Sequence, residues 1–375
     1  MKIAGFVAEF NPLHKGHEYL ISKIKEDGAD VIVVAMSPNF VMRGEPAIFN
    51  KIERTTHALA SGIDIVLEIP TVYAIQSADI YALSGVTLLE KAGVTDLYFG
   101  VENDNLPLFL EIRDALLSDK YRELLQKYQK EGNGFSISSK KALSNINPKF
   151  EEVLSQPNNL LGIEYLVALK KITSNIVPHL IKRVDSGYYD GINESSLIQS
   201  ATALRKELLK DKPNESYFPY EINNLQKHVK EDYLDLLKYR VSSSSSSDLN
   251  EILGMNEGFE NRLKTKANWN SYDSLVESLI SKRDRETKVK RILTAVLLGI
   301  KKDEGLNVDI NYIRVLGFSA NGSAYLKTIK NSNVISRIKR DLPKELYREL
   351  DFTKIYSIPH NEELVLKEYE PVKKR

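Results

Sequence analysis

An apolar run at the start of the chain constrains the fold more than any other feature. Ile3 to Phe10, interrupted only by Gly5 and Glu9, has the length and composition of a buried strand, and Asn11-Pro12 ends it abruptly. A helical pattern begins near His17. The spacing predicts a strand, then a tight turn carrying His14, Gly16 and His17, then the amino end of a helix. Free backbone N–H groups and the helix dipole favour an anion there. This is a phosphate site in outline.

The pattern then repeats. Glu18 to Glu26 reads as a helix closed by Gly28, and Asp30 to Met36 is a continuous apolar strand of the kind parallel sheets bury on both faces. Ser37 to Pro46 forms a loop, Ala47 to Ser61 a helix, Ile63 to Ile69 a strand, Ser77 to Ala92 a helix, and Leu97 to Gly100 the end of a further strand. Leu106 to Phe150 is helical and charged, broken by Gly132-Asn133-Gly134. A periodic helix follows Pro157-Asn158-Asn159, Ile176 to Ile181 returns as a strand, and Ser200 to Arg205 opens another helix with hydroxyl groups at its cap. Such alternation predicts an α/β, Rossmann-like, doubly wound parallel sheet whose ligand lies beyond the carboxyl ends of its strands.

Near Asp211 the alternation gives way to long amphipathic helices. The 375 residues suffice for two domains, expected as 1–210 for nucleotide binding and 211–375 as a mainly helical C-terminal domain. Within the second, Lys282 to Leu298 is basic on one side and apolar on the other, as fitting for a surface helix as for an RNA-facing one. Tyr312 to Phe318 reads as another buried segment. The net charge of +1 announces no nucleic acid, and no feature points to DNA. The absence of cysteine excludes disulfides and thiolate chemistry and suits a reducing compartment. No signal peptide precedes the first strand and no apolar run approaches the length of a membrane span, so a soluble, cytoplasmic protein is expected.

His14 and His17 flank Gly16, so a ligand can approach the backbone between two imidazoles. Attack at the α-phosphate of ATP builds charge on non-bridging oxygens, which histidine donors and helix N–H groups can stabilise. Two other readings fit the pair. A zinc site needs further ligands, and none of His57, His179, His228 or His360 has a partner at ligand spacing, so no metal ligand is assigned. The pair could also simply cap the helix.

An ordered set of segments adds a resemblance. F-V-A-E-F-N-P-L-H-K-G-H, S-P-N-F-V-M-R-G-E-P-A, D-I-V-L-E-I-P, L-Y-F-G-V-E, P-N-N-L-L-G-I-E-Y and S-A-T-A-L-R occur in that order, followed by G-F-E-N-R-L and Y-I-R-V-L-G-F. The H-x-G-H turn is similar to that of the nucleotidyltransferase superfamily, and the whole set resembles the bacterial tRNA(Met) cytidine acetate ligase family. The resemblance implies a two-step reaction. Acetate and ATP give acetyl-adenylate, and the acetyl group passes to the exocyclic amine of the wobble cytidine of elongator tRNA(Met).

On the residues, the resemblance implies that Val7, Ala8, Glu9, Phe10, Asn11, Pro12, Leu13, His14, Lys15, Gly16, His17, Glu18, Tyr19 and Leu20 wrap the ATP. His14 and His17 would hold the phosphates and Gly100 would let the nucleotide approach a strand end. Asn158 or Asn159 with Arg183 and Val184 would complete the pocket. Ser200, Thr202 and Arg205 would form a second phosphate motif, with Arg205 neutralising the departing pyrophosphate. Asn39, Arg43 and Glu45 could meet acetate or the cytidine; a salt bridge between Arg43 and Glu45 is the structural alternative. Magnesium is expected with the ATP. The chain departs from the family pattern at Pro38, where glycine is usual, at Met42, where glutamine is usual, and at Asp284-Arg285, where Tyr-Thr is usual. Two rival functions fit the residues less fully: a nucleotidyltransferase acting on another acid or a phosphorylated metabolite, and an RNA-binding protein without catalysis.

Overall fold

A computed structural model describes residues 1–183, 198–256, 258–329, 333–339 and 342–375. Its centre is a mostly parallel sheet of eight strands. Five run parallel in the spatial order Ile65–Glu68, Val31–Met36, Ile3–Ala8, Asp96–Val101 and Val177–Lys182. Strand order therefore reverses at Ile3–Ala8, and the crevice between its carboxyl end and that of Asp96–Val101 is the natural ligand position. The continuous apolar run Val31–Met36 is buried at every residue, as a strand covered on both faces must be.

Three further strands come from well beyond residue 210. Ile313–Phe318 pairs antiparallel with Ile65–Glu68, and Val334–Ile335 and Lys373–Lys374 add to it in parallel. The sheet is thus mixed rather than wholly parallel, and the buried segment expected at Tyr312 to Phe318 is one of its strands. The charged stretch after the fourth parallel strand folds as three helices, Leu106–Leu117, Asp119–Lys130 and Phe135–Ile146.

The C-terminal half supplies the helices Leu234–Ser243, Phe259–Lys266, Tyr272–Leu279, Glu286–Leu298 and Lys344–Ser357. Their shared apolar core also contains Phe40 and Ile75, so the loop after the second strand is packed into the helices. That contact brings the helical half to the sheet's ligand edge. Among the described residues no helix is long and apolar enough to cross a membrane.

Candidate active site

The chain leaves the first strand through Phe10, whose φ of 47° lies in the left-handed region and costs a side-chain-bearing residue about 1 kcal/mol or more. Packing holds it there, since Phe10 and Leu13 are both fully buried. His14 is then the N-cap of the helix Lys15–Glu26. Its Nδ1 accepts the N–H of Gly16 at 3.1 Å, and Nδ1 of His17 accepts the N–H of His14 at 3.2 Å. The N–H of His17 donates to the carbonyl of His14 at 2.8 Å. The backbone donors expected to meet an anion are therefore largely engaged in capping.

The capping has a chemical consequence. A ring nitrogen that accepts a hydrogen bond carries no proton, so the proton of each neutral imidazole sits on Nε2. Burial, then the charges of Arg183 and Arg205, push His14 down to about 3. Burial, then His14 and Arg183, push His17 well below the ordinary histidine value. Both rings are neutral at physiological pH, 3.9 Å apart between centroids, with the Phe10 edge against His17 at 4.9 Å. The turn replaces spent backbone donors with two uncharged Nε2–H donors.

The cations that depress these histidines come from the two other segments at this edge. Arg183 follows the strand Val177–Lys182, its N–H donating to the carbonyl of Val101 at 2.9 Å. A Cβ on Gly100 would stand 3.4 Å from Cγ of Arg183, an ordinary contact, so the arginine stem lies alongside the glycine without requiring it. Val184 lies outside the described residues. Arg205 donates from Nη1 to the carbonyl of Asn11 at 2.8 Å and from Nη2 to Oγ1 of Thr202 at 3.2 Å. Ser200 caps this helix, Ala201–Leu208, by accepting the N–H of Ala203 at 3.1 Å.

The asparagines act at one remove. Asn159 is fully buried; its Oδ1 accepts the N–H groups of Glu102 and Asn103 at 2.9 and 3.1 Å, and its own N–H donates to Glu102 at 3.1 Å. Asn158 donates from Nδ2 to the other Glu102 oxygen at 2.5 Å. Both therefore fix Glu102, whose charge partly offsets the burial that lowers Arg183. Sequence reasoning did not single out Glu102, although it follows Gly100-Val101 at a strand's carboxyl end. It also missed Arg54, fully buried, which donates to the carbonyls of Glu9 at 2.6 Å, Ser37 at 2.9 Å and Phe49 at 2.9 Å and so joins the first turn to the next loop.

The remaining turn residues divide between core and edge. Val7, Ala8 and Leu20 pack into the apolar layers, Asn11 accepts the N–H of Ile48 at 2.8 Å, and Leu13 offers its carbonyl to Tyr220 at 3.2 Å. Pro12 is buried, and Tyr19 lies beneath the Lys23 ammonium at 5.6 Å. Burial raises Glu18, with Lys15 opposing it. Glu9 is also raised by burial, against the opposing charges of Arg43 and Arg205, and it accepts the N–H of Met42 at 3.1 Å.

The loop after the second strand is organised differently from the expectation that it faces substrate. Asn39 is 3% exposed, accepting the N–H of Lys51 at 2.8 Å and donating to Thr353 at 3.4 Å, so its amide serves the fold. Glu45 pairs with Lys290 at 2.8 Å rather than with Arg43, which is exposed. Gly44 has φ of 73°, and a Cβ there would fall 2.4 Å from the backbone nitrogen of Arg291. Its carbonyl accepts the hydroxyl of Thr294 at 2.8 Å. The basic helix Glu286–Leu298 thus spends Lys290 on Glu45 and Glu286, Lys288 on Asp284 and Arg291 on the carbonyl of Gln76. Its cations are mostly internal partners rather than an open RNA face.

Among the described residues no three histidine, cysteine or acidic side chains gather as metal ligands. The site is a set of neutral donors and arginines at the sheet's carboxyl edge, which suits a polyphosphate better than a protein-held cation.

Comparison with known proteins places the chain among relatives of one kind. A family described as HIGH Nucleotidyl Transferase matches residues 1–369. The chain is similar to a tRNA(Met) cytidine acetate ligase of Geobacillus sp. (strain WCH70), 33% identical over 98% of each chain. It is 38% identical to one from Caldicellulosiruptor saccharolyticus, covering 88% of this chain and 85% of that one. Two solved structures of Thermotoga maritima TmcAL cover 100% of both chains: the apo form, with a TM-score of 0.88 at 27% identity, and the form bound with alpha-thio ATP, with a TM-score of 0.86 at 28% identity.

Proposed function

We propose a function from the premise that the chain belongs to the HIGH nucleotidyl transferase family and, within it, to the tRNA(Met) cytidine acetate ligases. It activates acetate with ATP and transfers the acetyl group to the exocyclic amine of the wobble cytidine of elongator tRNA(Met). The observation that carries the reading is the pair of neutral imidazoles, His14 and His17, at the carboxyl edge of the sheet within the electrostatic reach of Arg183, with Arg205 acting on His14. In the first step an acetate oxygen attacks the α-phosphorus, and the bond to pyrophosphate breaks. The Nε2–H groups of His14 and His17 donate to phosphate oxygens as charge develops on them. Arg205, tethered to Asn11 and Thr202, neutralises the pyrophosphate that leaves.

In the second step the cytidine amine attacks the acetyl carbonyl, AMP departs and one proton is released. Arg43, exposed beside Glu9, is the residue of the second loop best placed to meet the incoming RNA. Neutral histidines suit both steps, because they polarise phosphate without competing for the proton released from the amine. Magnesium accompanying ATP would neutralise part of the phosphate charge, beside Arg183 and Arg205. A cytoplasmic setting belongs to the same proposal.

Incubation with ATP, labelled acetate and unmodified elongator tRNA(Met) tests it. Label on the wobble cytidine is the expected result, and a folded sample that exchanges pyrophosphate with no acetate dependence overturns it.

A further inference from the structure

The cations of the C-terminal helices fall into two sets. Lys288, Lys290 and Arg262 are paired with Asp284, Glu45 or Glu286. Lys282, Arg283 and Arg285 are exposed and form no ion pair among the described residues. The segment bearing them is rigidly held. Asp284, only 3% exposed, accepts Asn256 at 2.8 Å, Arg262 at 2.5 Å, Ser281 at 3.1 Å and Lys288 at 2.8 Å. A tight buried anchor thus presents three unpaired cations on a fixed platform.

A second segment, remote in sequence, meets this platform. A Cβ on Gly134 would lie 3.9 Å from the carbonyl oxygen of Lys282, so the start of the helix Phe135–Ile146 abuts it. That start carries Phe135, 64% exposed, and Ile137, 42% exposed. An exposed aromatic ring on a segment that abuts three unpaired cations offers a stacking face close to positive charge. A base with a phosphate on each side matches both halves of the patch, stacking on the ring and neutralising the charge.

The patch is also joined by a helix to the loop that carries Arg43. Arg285 caps the helix Glu286–Leu298, whose backbone at Arg291 touches Gly44 between Arg43 and Glu45. Six residues of helix span about 9 Å. We propose that Phe135 and Ile137, with Lys282, Arg283 and Arg285, form a docking platform for the single-stranded loop nucleotides flanking the target cytidine. This inference rests on the proposed reaction, because it needs an RNA whose base enters the cleft.

The test reads RNA binding and acetate activation separately on the full chain. Affinity for an anticodon stem-loop of unmodified elongator tRNA(Met) is measured by fluorescence anisotropy across a salt series, and acetate-dependent ATP–pyrophosphate exchange is measured without RNA. Phe135→Ala should weaken binding by about tenfold or more with the salt slope unchanged, and Phe135→Trp should retain the affinity. The triple change of Lys282, Arg283 and Arg285 to Ala should lower the salt slope by about 0.7 for each phosphate no longer neutralised. Exchange should stay at the wild-type level in all three variants, which also reports that they fold. Unchanged RNA affinity in both Ala variants with intact exchange overturns the platform. The platform is equally overturned if Phe135→Ala only dissolves a self-associated form without altering RNA affinity. A wild-type protein that exchanges with acetate yet binds no stem-loop overturns the platform together with the RNA half of the proposed function. Loss of exchange in the wild type removes the proposed function itself.

Discussion

The His14–His17 turn and the Asn39–Glu45 loop lie on the same edge of the sheet but are built by opposite means. The bonds that set the two imidazoles span two or three residues, His14 to Gly16 and His17 to His14, while the preceding Asn11 and Leu13 are tied to Ile48, Arg205 and Tyr220. The loop is held by partners hundreds of residues away, with Glu45 and Lys290 separated by 245 positions, Gly44 and Thr294 by 250, and Asn39 and Thr353 by 314. The turn is a local cap that engages Nδ1 of each ring and leaves Nε2 out of the capping bonds. The loop has most of its polar atoms committed to the fold, with Arg43 left exposed. The first is shaped largely by its own short-range bonds and the second by joining two halves of the chain.

This contrast can be broken experimentally. His17→Ala should cut acetate-dependent pyrophosphate exchange by about 10²–10³-fold, the usual cost of removing one positioned donor to a developing charge. Its unfolding midpoint should move little, since the ring is only one part of a local cap. Gly44→Ala should behave in reverse. Its φ of 73° and the 2.4 Å approach to Arg291 predict a loss of roughly 3 kcal/mol in stability, read as a lowered denaturation midpoint, before any specific loss of exchange. Lys290→Ala sharpens the comparison most gently. Its ion pair with Glu45 is largely but not fully buried, at 14% and 20% side-chain exposure, so the expected loss is about 1 kcal/mol, smaller in high salt.

The same contrast explains what the residues alone disclosed. The strand, turn and helix from Ile3 to Glu26 were legible because apolar run length, Asn-Pro punctuation and cap spacing are all short-range signals. So was the helix start at Ser200, whose hydroxyl caps as its position suggested. What sequence spacing cannot carry is the partner of a side chain. Arg43 and Glu45 were open to substrate contact or to a local ion pair with each other, whereas Glu45 meets Lys290, on a helix that only tertiary packing brings near. The strand Ile313–Phe318 was recognisable as buried, but its antiparallel place beside Ile65–Glu68 depends on a chain reversal that no local pattern encodes. Glu102 was overlooked for a related reason. An acid next to a strand end is ordinary until Asn158, Asn159 and Arg183 are seen to converge on it.

The central claim is that His14 and His17 are neutral rings whose protons sit on Nε2, aimed at the triphosphate. Their depressed folded values mean that the unfolded chain binds the extra protons below about pH 6.5. The stability due to their neutral burial is therefore complete above that pH and is lost as pH falls toward the folded value of His14, about 3. Heteronuclear NMR of the histidine side chains, followed from about pH 8 to about pH 5 with and without ATP, tests the claim directly. The account predicts two rings that stay neutral in the Nε2–H form throughout the ATP-free titration and whose Nε2–H resonances shift when ATP binds. Rings that carry the proton on Nδ1, or that titrate near pH 6.5 in the ATP-free protein, would contradict it.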